Sequence, residues 1–189
     1  MSMLQVKDLS IHFGGVKAVQ NVSFNIDSGI VYAVIGPNGA GKTTLFNLIT
    51  GVYKPTTGEI TLDAEAIHGK SPNELATRGV ARTFQNLQIC MNMSAVENVM
   101  VGAHLRLDRN LVKAALRFPG LKKRDAELRE EAAELMRFVG LGQYVEARAD
   151  AMSYGALKRL EIARALAMKP RLIFLDEPAA GLNPKETIE

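Results

Sequence analysis

Eight consecutive residues, Gly36-Pro37-Asn38-Gly39-Ala40-Gly41-Lys42-Thr43, spell GxxxxGK[ST], a spacing suited to cradling phosphate. Glycines let the main chain approach an anion closely and adopt conformations that a side chain would obstruct. The loop follows an apolar run and should open a helix, which aims backbone N–H groups and the positive end of the helix dipole at the same anion. Lys42 supplies a point charge for the β and γ phosphates of a nucleotide, Thr43 offers its hydroxyl to Mg²⁺, and Thr44 is counted with the loop as nucleotide-binding. The bland alternative is a glycine-rich turn with a surface lysine, but average residue usage would produce the pattern by chance in only about one chain in a hundred.

Asp176 and Glu177 form the second chemical signal. They follow Leu172-Ile173-Phe174-Leu175, an apolar run suited to a buried strand, so Asp176 should emerge at the strand's carboxyl end, where open α/β sheets bind ligands. From there Asp176 can hold magnesium through water. Glu177, not committed to the metal, can orient and deprotonate an attacking water. An acidic pair after an apolar run can also be a strand ending in solvent; the phosphate loop in the same chain favours the catalytic reading.

Several elements must position these groups. Leu4, Val6, Leu9, Ile11 and Phe13, then Val22, Phe24 and Ile26, alternate with polar residues as half-exposed antiparallel strands do, with Gly14-Gly15 as the break. Ile30-Val31-Tyr32-Ala33-Val34-Ile35 predicts a strand covered on both faces and feeding the phosphate loop. A helix is expected over 42–50, capped by Gly51 and stopped by Pro55. Capping boxes at Ser71-Pro72-Asn73-Glu74 and Ser94-Ala95-Val96-Glu97 mark two more helix starts, with a short strand over 80–84 between them. From 94 to about 166 the pattern is mostly helical. Leu128, Ala132, Leu135 and Val139 share one face there, Asp125 and Arg129 are spaced as an i,i+4 pair, and Gly140 closes the helix.

Bulk composition excludes other classes. A length of 189 residues, 47% of them hydrophobic, suits one domain with a buried core. The 23 basic residues exceed the 20 acidic ones only slightly, and both signs are interspersed, so no nucleic-acid footprint is present. One cysteine, Cys90, can build neither an internal disulfide nor a cysteine metal cage and reads as a small packing residue. No secretory signal and no membrane-spanning apolar run is seen, which places the chain in the cytoplasm with any membrane role carried by a partner.

The chain resembles the ABC ATPases through four motifs in order: the phosphate loop, Gln85 after the strand at 80–84, Met152-Ser153-Tyr154-Gly155-Ala156 with the helix that follows, and Leu172 to Pro178. The resemblance implies an α/β fold, a P-loop core with an N-terminal antiparallel β element (1–85 and 167–189) and an inserted helical subdomain (86–166). It also implies roles. Phe13 would stack on adenine, Gln85 would contact magnesium and water, and Ser153 and Gly155 would receive the γ-phosphate of ATP held by a second, head-to-tail ATPase subunit. Thr43, Gln85 and Asp176 would serve the metal, Gly36 to Thr44 the phosphates, and Glu177 and Gln85 catalysis.

Phe13 to Val19, the tyrosine in the signature, and Asp176 to Thr187 are similar to the ATP-binding subunits of branched-chain amino acid importers. That similarity implies membrane permease subunits docked near 87–100, a substrate-binding protein outside, and a peripheral position on the cytoplasmic face of the inner membrane. Leu87, Ile89, Met91 and Met93 supply adaptable apolar side chains for that docking. Two residues depart from the family's pattern: Ala156 where glutamine is usual, and Asn183 where an acid is common. Members also continue to a histidine that contacts the γ-phosphate, whereas His12, His68 and His104 all precede Asp176. The chain is therefore expected to be C-terminally incomplete and to hydrolyse ATP poorly. Two alternatives stay open, a nucleotide-binding module with little hydrolysis and the ATPase of a lipid or lipopolysaccharide export system; a DNA-repair or translation protein would show a coiled coil or a second cassette.

Overall fold

The computed structural model describes residues 2–83, 85–107 and 119–178. Phe84 and the residues from 179 onward, Asn183 included, lie outside the described residues. The chain divides into two compact units, Met1–Arg78 and Gly79–Glu189.

In the first unit the alternating segments form β1 (Ser2–Phe13) and β2 (Val16–Asp27), paired antiparallel with Val6 opposite Phe24 and Phe13 opposite Val16. β3 (Thr57–Leu62) and β4 (Glu65–Ala66) extend the sheet in the order β2-β1-β3-β4. Leu4, Val6, Leu9 and Ile11 are buried, as their alternation requires. α1 (Lys42–Ile49) buries Leu45, Leu48 and Ile49. It ends where expected: Gly51 takes a positive φ of 76°, and a Cβ there would lie 2.3 Å from the Lys70 carbonyl oxygen. α2 (Pro72–Thr77) opens with the complete capping box, in which the Ser71 N–H donates to Glu74 Oε2 at 2.8 Å. The same hydrogen bond, seconded by the Ser71 hydroxyl, holds the Glu74 carboxyl below the usual range.

One expectation fails in this unit. Ile30 to Ile35 forms no strand, and Val31 and Ile35 are 100% and 92% exposed. An apolar run becomes a buried strand only when neighbouring strands take up its N–H and C=O groups and layers cover both faces. Among the described residues no strand pairs with it. Tyr32 of this run stacks on Phe24 with ring centroids 5.6 Å apart.

The second unit is built on β5 (Val80–Arg82) and β6 (Leu172–Phe174), paired parallel with Arg82 opposite Phe174. Between them in sequence come α3 (Ala95–Gly102), α4 (Pro119–Phe138) and α5 (Tyr154–Leu166). Val96, Val99, Met136, Leu141 and Leu160 form the centre of their shared core, with Leu128 and Ala132 buried and Leu135 and Val139 packed partly against it. α3 carries its capping box, Ser94 with Glu97. Gly140, at φ 75°, ends α4 as read: its N–H donates to the Arg137 carbonyl, and the Leu141 N–H reaches the Met136 carbonyl at 2.7 Å, which turns Leu141 into the core.

Two local readings are corrected here. Arg129 pairs with Glu146 rather than with Asp125, because a tertiary partner meets the exposed guanidinium. Cys90 is exposed, not packed. Its backbone is what the fold uses: the Cys90 N–H donates to Asn98 Oδ1 at 2.9 Å, and Asn98 Nδ2 donates to the Cys90 carbonyl at 3.0 Å.

Glu131 on α4 accepts two hydrogen bonds from Arg106, at 2.7 and 2.9 Å, and lies 3.0 Å from Lys169 Nζ. The Arg106 hydrogen bond first, then Lys169, outweigh partial burial and draw the Glu131 carboxyl down to about 2. A depressed carboxylate stabilises the fold above its unfolded value of about 4.3 and loses that contribution as pH falls through the folded value. Denaturant titrations at stepped pH should therefore show stability falling from about pH 4.3 towards 2, and Glu131→Gln should flatten that part of the slope; an unchanged slope would remove Glu131 from the account.

Candidate functional site

Residues 36–43 connect the exposed run at 30–35 to α1. The Ala40 N–H donates to the Pro37 carbonyl at 3.2 Å and closes a turn, while Gly39 and Gly41 take φ of 82° and 84°. Gly41 is the N-cap residue of α1, and no side chain caps the helix there. The first-turn N–H groups are thus presented to an external acceptor rather than to the protein's own. Gly41 is required twice over: its φ disfavours other residues, and a Cβ would lie 2.5 Å from the Ala18 carbonyl oxygen on β2. Lys42 Nζ folds over the loop and donates to the carbonyls of Gly36 at 2.7 Å and Pro37 at 2.9 Å. Pro37, Asn38, Gly39, Ala40 and Thr43 are exposed, with Gly36, Gly41, Lys42 and Thr44 half-buried. Phe13, at the end of β1 and 45% exposed, meets Tyr53 edge-to-face with ring centroids 5.3 Å apart. Tyr53 was not anticipated from the sequence, and nothing in its spacing marks it.

Gln85, Asp176, Glu177, Ser153 and Gly155 belong to the second unit. The β5–β6 register continues past the strands: the Thr83 N–H donates to the Phe174 carbonyl at 2.9 Å, and the Asp176 N–H donates to Thr83 Oγ1 at 3.3 Å. Asp176 is buried, and Arg82 Nη2 donates to its Oδ2 at 3.0 Å. Taking a carboxylate out of water is costly without a counter-charge, and Arg82 supplies one across the sheet. One residue further on, Gln85 Nε2 reaches Glu177 Oε2 at 3.4 Å. Glu177 is exposed and has a φ of 48°, a left-handed conformation that a branchless glycine would adopt more cheaply. The fold thus spends local strain to turn this carboxylate away from the strand direction of Asp176. The sequence-derived trio of Gln85, Asp176 and Glu177 is brought together; Arg82 and Thr83, which hold Asp176, were missed.

Ser153 caps α5, its Oγ accepting from the Ala156 N–H at 3.3 Å. Ser153 is exposed and Gly155 is buried. Ala156, 1% exposed, belongs to the helical core, which is why a small apolar residue fits where a polar one was expected.

The comparisons with known proteins decide the family. The family model described as ABC transporter matches residues 19–180, most of the chain. The chain belongs to the ABC transporter family. This ABC ATPase is 44% identical over 185 residues to the high-affinity branched-chain amino acid transport ATP-binding protein BraF of Pseudomonas aeruginosa, covering 98% of this chain and 72% of BraF. It is 41% identical over 187 residues to LivG of Escherichia coli, a protein of the same description, covering 99% of this chain and 73% of LivG. A solved ATP-binding cassette of an ABC transporter in its ADP conformation superposes with a TM-score of 0.83 at 34% identity, over 100% of this chain and 73% of that one. Among the described residues no helix is long and apolar enough to cross a membrane.

Breaking the Arg82–Asp176 pair from one side strands a buried charge. Arg82→Met should cost about 3–5 kcal/mol in urea denaturation, and adding Asp176→Asn should recover part of the loss. A cost within experimental error for the single variant would show that the pair is solvated.

Proposed function

We propose that this ABC ATPase is the subunit that couples Mg-ATP binding and hydrolysis to import of branched-chain amino acids. The observation that carries the substrate class is the 44% identity to BraF across 98% of the chain. The chemistry is supported by the site itself. A loop whose lysine already bonds to main-chain carbonyls, whose helix has no side-chain cap, and whose Gly41 excludes a side chain fits a triphosphate. A buried aspartate held by Arg82 through Oδ2 has a second carboxylate oxygen, the kind of hard donor that magnesium and its water shell take.

In this reading the main chain of Gly36 to Thr44 binds the phosphates, Lys42 exchanges its carbonyl partners for phosphate oxygens, and Phe13 stacks on the adenine. Thr43, Gln85 and Asp176 hold Mg²⁺, which neutralises charge on the phosphate oxygens when bound. Gln85 orients a water whose oxygen attacks the γ-phosphorus. The bond to the β-phosphate oxygen breaks, and Glu177 takes the water's proton as ADP and phosphate separate. Ser153 and Gly155 open α5 and serve ATP held by a second subunit facing head to tail.

The permease subunits dock on the segment at 87–100. Leu87 and Ile89 are committed partly to the helical core, whereas Met91 is 42% exposed and supplies the free apolar surface. The ATPase then lies peripherally on the cytoplasmic face of the membrane, with a substrate-binding protein feeding the permease from outside.

Fluorescent-nucleotide binding and phosphate release on this chain test the chemistry. Glu177→Gln should lower kcat by about 10²-fold or more with nucleotide affinity kept, and Lys42→Ala should weaken nucleotide binding by about tenfold or more. Failure of the parent chain to bind Mg-ATP would defeat the proposal. For docking, Met91→Glu should abolish co-purification with the permease subunits while sparing ATP binding; retained co-purification would place the docking surface elsewhere.

A further inference from the structure

Lys158 on α5 is only 4% exposed, and its Nζ donates to the main-chain carbonyl of Gln85 at 2.9 Å. The same ammonium stands 5.8 Å from the centroid of the Tyr154 ring. It also lines a narrow cleft with Thr83, Glu161 and Asp176. Burying an ammonium is expensive, and a methionine or leucine would fill a comparable volume in this helix at no such cost. What the lysine supplies and an apolar side chain could not is a charged donor to one chosen carbonyl. That carbonyl belongs to the residue whose side chain reaches Glu177. Six residues further along α5, Arg164 donates to the carbonyl of Gln88. The stretch from Gln85 to Gln88 is therefore hung at both ends from the helix that Ser153 opens.

We propose that Lys158 is a positioning residue: it fixes the main chain at Gln85 relative to α5, so that the Gln85 carboxamide is delivered to Glu177. The inference rests on the reading that Gln85 and Glu177 serve hydrolysis. The chain of contacts runs from Lys158 on α5 through the Gln85 carbonyl to the Gln85 side chain and Glu177. Displacement of the glutamine by a fraction of an ångström is enough to misplace an attacking water.

The test combines Lys158→Met and Lys158→Arg, each in the parent and in a Gln85→Ala background. Lys158→Met should lower kcat by about tenfold with KM for ATP within about twofold, Lys158→Arg should recover most of it, and neither should add a loss once Gln85 is alanine. Hydrogen–deuterium exchange without nucleotide should show faster exchange across 85–88 in Lys158→Met and not in Lys158→Arg. Equal losses in both backgrounds, or unchanged exchange at 85–88, would overturn the inference. A parent chain that does not bind Mg-ATP would instead defeat the proposed function, and the exchange measurement without nucleotide would still decide the Lys158 anchor.

Discussion

The parallel pairing of β5 and β6 is the constraint on which the half of the chain that carries Gln85, Asp176 and Glu177 depends. It joins segments more than ninety residues apart, as the Gln85–Glu177 contact across 92 positions shows. Closing so long a loop costs entropy that three ladder positions cannot offset alone. The helical core of α3, α4 and α5 fills the interval and supplies the burial that holds the strands in register. Once the register is set, everything beyond it is nearly determined. Thr83 bonds the Phe174 carbonyl and the Asp176 N–H, the Arg82 guanidinium reaches the acid from its place opposite Phe174, and the two segments leave the sheet side by side. A slip of one residue would send Arg82 to the other face of the sheet and leave Asp176 buried without its counter-charge.

Electrostatics then differentiate two adjacent carboxylates. Asp176 is buried, its carboxylate bound to a guanidinium and its N–H to the Thr83 hydroxyl, and so has little freedom. Glu177 is exposed, turned by its left-handed backbone, and accepts a long hydrogen bond of 3.4 Å from the neutral Gln85 amide. One environment suits a fixed ligand and the other a group that must accept and release a proton. Adjacent positions in sequence acquire different surroundings because the chain bends between them.

What the sequence made legible is what short-range chemistry controls. Both capping boxes, the Gly51 and Gly140 helix ends and the antiparallel pair around Gly14-Gly15 follow from interactions among neighbours, and each is present. The phosphate loop reads off its own spacing for the same reason. Asp176 and Glu177 were read from the apolar run that precedes them and Gln85 from family resemblance, and the structure supplies the reason they meet. Ile30 to Ile35 was misread because a run's hydrophobicity predicts burial only if partners exist, and partners are a long-range property. Arg82 and Lys158 were invisible for a related reason. A basic residue in a strand or helix is usually solvated, and only tertiary register shows one facing a buried acid and the other a chosen carbonyl.

Cys90 is the sole cysteine of the chain, and it is exposed. It lies two residues past Gln88, with its backbone clipped to Asn98 on α3 and its thiol turned to solvent. A thiol-reactive dye or spin label would therefore attach at a single site without any engineered cysteine. It would sit on the short segment between the glutamine that faces the acid and the methionine that faces outward, and could report on both from one position. The protein carries its own handle for spectroscopy just past the segment that α5 holds at Gln85 and Gln88.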